Sequence, residues 1–201
     1  MRVGLTGGIG SGKSTVAGFL REAGAALVDT DAISRALTVP GGAAMPAIAE
    51  QFGVEFVGAD GALDRDRMRA LAFSDAGAKR RLEAILHPLI TAEALAQADA
   101  ATAPLIVFDV PLLVESGRWR PRLARVLVVD CSAETQIERV LQRPGWTRER
   151  VLGALAAQTT REARRAAADV VLLNEGLPLV ALRNEVHDLA GRWGCETMPR
   201  P

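Results

Sequence analysis

Nine consecutive residues, Gly7-Gly8-Ile9-Gly10-Ser11-Gly12-Lys13-Ser14-Thr15, constrain this 201-residue chain more than any other stretch. They fill the pattern G-x-x-x-x-G-K-S/T, with Gly7, Gly12, Lys13 and Ser14 in the fixed places. The apolar run Val3-Gly4-Leu5 precedes them, and a helical pattern from Thr15 to Ala23 follows, closed by Gly24 as a C′ residue. That order demands a strand, a tight glycine turn and a helix whose N-terminus opens on the turn. Glycines let the backbone wrap an anion at close range with N–H groups inward, and the helix dipole adds positive potential there. The segment therefore predicts a phosphate-binding loop in which Gly8, Ile9, Gly10, Ser11, Gly12, Lys13, Ser14 and Thr15 hold a nucleoside triphosphate. Lys13 would place a point charge on the outer phosphates, and the Ser14 hydroxyl would complete the coordination of Mg²⁺. The alternative is a glycine-rich turn with an incidental lysine. With only Lys13 and Lys79 in the chain, a chance match is on the order of one in several hundred.

Four further apolar runs have the form of buried strands: Ala26-Leu27-Val28, Leu105-Ile106-Val107-Phe108, Val126-Leu127-Val128-Val129 and Val170-Val171-Leu172-Leu173. They end in Asp29, Asp109, Asp130 and Asn174. Runs that are apolar at consecutive positions fit strands covered on both faces, and helix-length separations imply parallel crossovers. The expected fold is α/β, a doubly wound parallel five-stranded sheet. Residues 29–104 separate the second run from the third, far more than one crossover needs, so an insertion sits there. It reads as helical over 43–52, 65–73 and 75–98, with Pro88 expected to break or kink the last helix at His87. A second helical segment, 142–168, is rich in arginine: Arg143, Arg148, Arg150, Arg161, Arg164 and Arg165.

Acidic and basic residues balance at 24 each. No global field recruits nucleic acid or an anionic membrane, and the expected partner is a small molecule. The pairs Arg80-Arg81 and Arg164-Arg165 lack the aromatic interleaving of a nucleic-acid surface. Cys131 and Cys195 have neither disulfide-framework nor zinc spacing. No apolar stretch reaches membrane-spanning length and no leader pattern precedes the first strand, so the expected location is cytoplasmic. With lysine only at 13 and 79, the Asn-Lys-x-Asp element of guanine-specific switches cannot be written anywhere in the chain.

The acceptor chemistry must come from other residues. In an open parallel sheet the carboxyl ends of the strands face the ligand crevice, and Val28-Asp29-Thr30-Asp31 with Arg35 lies at such an end. One carboxylate can take a proton from an attacking hydroxyl, and Arg35 can hold an anionic acceptor. The competing reading makes Asp29 or Asp31 a helix cap. Asp109 either orients a hydrated Mg²⁺ or serves a turn. Pro111-Leu112-Leu113-Val114-Glu115 reads either as a rigid loop against the acceptor or as core packing.

Taken together, the loop, Val28-Asp29-Thr30-Asp31 with Ile33 and Arg35, Leu86-His87-Pro88-Leu89-Ile90, and Asp109 to Glu115 resemble the dephospho-coenzyme A kinase family of P-loop kinases. Downstream, Val128-Val129-Asp130, Gln136, Arg139, Arg143, Gln158, Ala168-Asp169-Val170-Val171, Asn174 and Gly176 keep the family's order. The resemblance implies transfer of the γ-phosphoryl of ATP, with Mg²⁺, to the 3′-hydroxyl of dephospho-coenzyme A, the last step of coenzyme A synthesis. It implies a nucleotide-binding core over 1–33, 105–141 and 169–201, a helical acceptor-binding domain over 34–104, and a lid over 142–168. It places the base on Asp31, the lid arginine on Arg143 and a nucleotide contact on Asn174. Acceptor contacts fall on Asp29, Arg35, His87, Pro111, Leu112 and Leu113, and metal contacts on Ser14 and Asp109. A structural role for His87 at the Pro88 turn stands beside the acceptor role. Thr30, Ser34, Pro144 and Leu173 depart from the family pattern. Pro144 stiffens the lid hinge and leaves open which lid arginine engages ATP. The rival readings are another P-loop nucleotide or small-molecule kinase, against which the His87-Pro88 motif argues, and a non-catalytic ATP-gated adaptor. The oligomeric state is left open.

Overall fold

The structure, a computed structural model, describes residues 1–195. Five strands, β1 (Arg2–Gly7), β2 (Ala26–Asp29), β3 (Ile106–Asp109), β4 (Arg125–Asp130) and β5 (Val170–Leu173), form one parallel sheet in the order β2-β3-β1-β4-β5. The expected fold class holds. In register, Leu5 lies opposite Asp109 on one side of β1 and Leu127 on the other. The central strands are buried at nearly every position, which is why their sequences run apolar without alternation. Strand β1 lies between the β2-β3 side and the β4-β5 side of the sheet, and the chain crosses it between β3 and β4, so the turn after β1 sits at the topological switch point.

The chain divides into two compact units, one made of Met1–Val28 with the chain from Ala101 onward, the other Asp29–Ala100. In the first unit, Val3 and Leu5 of β1, Val107 of β3 and Leu127 of β4 pack against Val16 and Leu20 of α1 (Lys13–Glu22) and Leu182 and Val186 of α10 (Leu179–Arg192). Each fully buried leucine or valine side chain contributes about 1.5–3 kcal/mol by leaving water. Helix α1 stops as the sequence predicts: Gly24 takes φ 92°, the Ala25 N–H bonds the Leu20 carbonyl, and the Gly24 N–H bonds the Arg21 carbonyl. Between β3 and β5 lie α6 (Leu113–Ser116), α7 (Ala133–Leu141), α8 (Arg148–Ala156) and α9 (Arg161–Ala166). Ser132, Thr147 and Thr160 cap the last three through side-chain oxygens that accept from Thr135, Arg150 and Ala163.

The second unit holds α2 (Thr30–Ala36), α3 (Met45–Phe52), α4 (Arg65–Ser74) and α5 (Ala76–Ala100). Its core is Met45, Ile48, Phe56 and Met68 with the Leu82, Ile85, Leu86 and Leu89 stripe of α5 packed on it. Of the break or kink expected at His87, the break does not occur, since α5 runs through Pro88 without interruption. Pro88 removes one N–H and disfavours the helix by about 3 kcal/mol. The stripe lies on both sides of Pro88 and packs on one cluster, and four half-buried side chains at about 1 kcal/mol each offset that cost.

Candidate active site

The turn after β1 has the backbone that its glycines allow. Gly10 takes φ 75° and Gly12 takes φ 94°, both left-handed. Gly12 is the N-cap of α1 and provides no side-chain hydrogen bond, and no acidic residue occupies the first turn. The first N–H groups and the dipole of α1 therefore face the turn without an internal carboxylate to satisfy them. The Ser11 hydroxyl is buried and has no hydrogen-bond partner. An open helix N-terminus, a stranded hydroxyl and a glycine backbone together fit a phosphate chain.

Side chains from distant elements hold this turn. The Gln136 Nε2 of α7 donates to the Ile9 carbonyl at 2.8 Å, and the Gln158 Oε1 accepts from the Ile9 N–H at 3.0 Å. The Asn174 Nδ2 donates to the Ser11 carbonyl at 2.8 Å, and the Arg139 Nη2 donates to the Asn174 carbonyl at 3.1 Å. Asn174, predicted as a nucleotide contact, here buttresses the turn from the end of β5. Glu175 fixes the same segment by accepting from the Thr135 hydroxyl and the Ser132 N–H, bonds that hold its carboxyl below the usual value. Gln136, Arg139 and Gln158 carried no assigned role in the sequence. The spacing of 136 and 139, one turn apart on the helix after β4, was the available signal.

This packing leaves no room for side chains. A Cβ on Gly10 would lie 2.7 Å from the Gln136 carbonyl oxygen and 2.9 Å from Val140 Cγ2. Both are fixed by a helix, and the positive φ adds strain of about 1–2 kcal/mol. Gly10→Ala is expected to lower the melting temperature by at least about 4 °C, read by calorimetry without ligand. A fall below about 1 °C would mean that the turn relaxes freely and is not preorganised.

Lys13, the first residue of α1, forms an ion pair with Asp109, the last residue of β3, and both are largely buried. The loop thus carries its positive charge against a carboxylate on the neighbouring strand. Ser14 is exposed at the start of α1. A serine hydroxyl and one carboxylate are hard oxygen donors suited to Mg²⁺. No cluster of three or more metal-ligating side chains exists among the described residues. A cation at this edge would therefore be held chiefly by phosphate oxygens and water, as Mg²⁺ is in phosphoryl-transfer sites.

Asp130 ends β4 almost fully buried. Arg161 of α9 donates to it from Nε, shared between Oδ1 at 2.9 Å and Oδ2 at 3.1 Å, and from Nη2 to Oδ2 at 2.8 Å, and Arg165 adds a further bond to Oδ2 at 2.7 Å. Burial pushes the Asp130 carboxyl up, but the two guanidiniums more than offset it and hold it below the ordinary value. Burial pushes the thiol of Cys131, next in sequence, up to about 11, which keeps it protonated at neutral pH.

Of the Pro111-Leu112-Leu113 stretch, the Pro111 carbonyl accepts from the Thr6 hydroxyl at 3.0 Å, Leu112 is exposed, and Leu113 is buried against β1. A Cβ on Gly4 would meet Leu113 Cδ1 at 2.5 Å, so Leu113 is a packing residue of the sheet. Arg143 is exposed, just past the C-cap of α7. A cavity of about 410 Å³ opens beside Leu113, Val114, Arg120 and Asp169. Asp169 accepts from the Val126 N–H near the start of β4, so this cavity lies toward the edge opposite the loop.

In the second unit, Asp29 is the N-cap of α2, accepting from the Ala32 N–H at 2.9 Å. Arg35 approaches Asp29 at 4.0 Å. Asp31 sits exposed in the first turn of the same helix and is not the cap. His87 is half-buried within α5. This unit contains a cavity of about 260 Å³ with an apolar floor that includes Leu63, Met68 and Leu86, and with Ser34, Arg65 and Arg69 also lining it. Apolar floors with a few charged groups suit small-molecule ligands.

A family model described as dephospho-CoA kinase matches residues 1–178. A dephospho-CoA kinase of Burkholderia lata is 58% identical over 191 residues, covering 95% of each chain. A crystal structure from Thermus thermophilus superposes with a TM-score of 0.82 at 36% identity, covering 95% of this chain and 97% of that one. A dephospho-CoA kinase from Campylobacter jejuni shares the fold, with a TM-score of 0.70 at 23% identity and coverage of 95% and 96%.

Proposed function

The chain belongs to the dephospho-CoA kinase family, and from that premise we propose how its residues divide the work. The reaction is ATP-dependent phosphorylation of dephospho-coenzyme A at the 3′-hydroxyl of its ribose, the final step of coenzyme A biosynthesis. The acceptor oxygen forms a bond to the γ-phosphorus, the bond to the β–γ bridging oxygen breaks, and ADP leaves. The observation that carries the reading is the glycine turn with Lys13 and Asp109 at the sheet's switch point.

Gly8 to Thr15 form the phosphate site: the N–H groups at the start of α1 face the phosphates, the Ile9 and Ser11 N–H groups hold the turn through Gln158 and the Gly8 carbonyl, and Asn174 keeps the turn in shape. Lys13 neutralises the charge that develops on the transferring group, and Arg143 adds a second cation from the lid. Ser14 and Asp109 are the residues that would hold Mg²⁺, which when bound offsets phosphate charge. Asp31 takes the proton from the acceptor hydroxyl; its exposure and freedom from capping support that role over Asp29. Asp29, Arg35, His87, Pro111 and Leu112 contact the acceptor, and Leu113 holds that strand end in place by packing on β1. Residues 1–33, 105–141 and 169–201 act as nucleotide core, 34–104 as the acceptor-binding domain and 142–168 as the lid. The apolar floor and arginines of the second-unit cavity support the acceptor assignment. We place the enzyme in the cytoplasm: both cysteines are unbridged, and among the described residues no helix is long and apolar enough to cross a membrane.

The test is ADP release with dephospho-coenzyme A, adenosine, AMP and shikimate as acceptors. Dephospho-coenzyme A should exceed each of the others in kcat/KM by about a hundredfold or more, because buried polar groups left unpaired penalise wrong acceptors. Equal turnover with a mononucleotide or shikimate would instead favour another kinase on the same fold.

A further inference from the structure

Both polar groups of the Ile9 backbone are held by amide side chains from outside the loop. Gln136 comes from α7, is buried, and donates to the carbonyl; Gln158 comes from the segment between α8 and α9 and accepts from the N–H. Gln158 follows the C-cap of α8, where its N–H bonds the Leu155 carbonyl at 3.2 Å, and the next residue, Thr159, donates its N–H to Glu115. Its position is also tied to α9, because the buried Arg164 donates to the Thr159 carbonyl at 2.7 Å and joins the turn beside Gln158 to that helix. Helix α9 in turn reaches the sheet through Arg161 and Arg165, which share the Asp130 carboxylate at the end of β4. Strand β4 pairs with β1, from which the loop springs. A closed circuit results, from Asp130 through α9 to Gln158 and back to Ile9.

We propose that Asp130 is a positioning residue for the phosphate loop, acting through Gln158 to fix the Gly8–Ile9 peptide. This rests on the reading of Gly8 to Thr15 as the ATP site. The chemistry of the two clamps is consistent with that setting. Both are neutral amides, which hold a peptide without adding negative charge beside a triphosphate. The carboxylate in the circuit is paired with two guanidiniums, which match its charge. With the peptide plane on each side of the Ile9 Cα held once, Gly8–Ile9 through its N–H and Ile9–Gly10 through its carbonyl, the φ and ψ of Ile9 cannot rotate out of the conformation the phosphates require, so the ordering cost is met before ATP arrives.

The experiment is a double-mutant cycle on the full chain with Asp130→Asn, Gln158→Ala and the pair, measuring KM for ATP, KM for dephospho-coenzyme A and kcat. Each single variant should raise the KM for ATP about three- to tenfold, the scale of one lost hydrogen bond to a preorganised group. The KM for the acceptor should stay within about twofold, and the double variant should be no worse than the larger single. Should Asp130→Asn fail to fold, Arg165→Gln removes one ion pair from an exposed side chain, and a smaller rise in the same cycle is expected. Multiplication of the two effects in the double variant would overturn the proposal. So would a fall in melting temperature with an unchanged KM for ATP, the signature of a purely structural anchor. Lys13→Ala, run alongside, separates the two readings. If it keeps normal turnover the ATP-site reading fails; if it loses turnover while the cycle is additive, only the role of Asp130 and Gln158 fails.

Discussion

Lys13→Ala is expected to lose about a hundredfold or more in turnover, because it removes a preorganised cation from the charge that develops in the transition state. The structure adds a second effect to this substitution. Lys13 is largely buried and paired with Asp109, so its removal also unbalances a carboxylate at the end of β3. The melting temperature should fall, but by no more than about 8 °C, the equivalent of losing one partly buried charge partner in a protein of this size. Turnover measured at 25 °C, far below that transition, isolates the catalytic loss. Lys13→Arg refines the test: it restores a charge for Asp109 but replaces a compact ammonium by a planar fork. Its melting temperature should recover while turnover remains at least about tenfold low. Near-normal turnover in the alanine variant would show that the loop is not the site of phosphoryl transfer.

Asp31→Asn is expected to reduce turnover by about 10² to 10⁴, the range for a positioned general base, while leaving the KM for ATP nearly unchanged. The structure sharpens the comparison with Asp29. Asp29 caps α2 through its side chain, whereas Asp31 lies exposed in the first turn. Asparagine caps about as well as aspartate, so Asp29→Asn should cost little in stability. A large loss of turnover for Asp29→Asn with near-normal activity for Asp31→Asn would assign the base to the other carboxylate.

What was legible in the sequence was whatever depends on local order. Strands β1, β3 and β4 are buried on both faces, so their sequences are apolar without alternation, and Gly10 and Gly12 of the loop are required by backbone angles that only glycine adopts freely. Gly24 marked the end of α1 for the same reason. The clamps on Ile9 were not legible in that way. Gln136 and Gln158 act on a peptide 127 and 149 residues away, and no periodicity encodes a side chain that meets a distant backbone. Asp130 could be recorded only as a carboxylate ending a strand. At Pro88 the local rule for a helix break gives way to packing, because the apolar stripe on both sides of the proline rests on one cluster. Leu113 shows the same limit: its packing against Gly4 depends on strand order, which composition does not reveal.

The central place of β1 in the sheet has a consequence during translation. The first strand leaves the ribosome with neither neighbour yet made, since its partners begin at Ile106 and Arg125. The Asn174 side chain that braces Ser11 is synthesised later still, 163 residues after it. Residues 29–100, by contrast, are contiguous and contain their own apolar cluster, so they can collapse as soon as they emerge. The nascent chain therefore carries β1 as an unpaired apolar strand until β3 and β4 have been made. The loop that binds the triphosphate, although encoded among the first fifteen residues, is among the last parts of the molecule to take its shape.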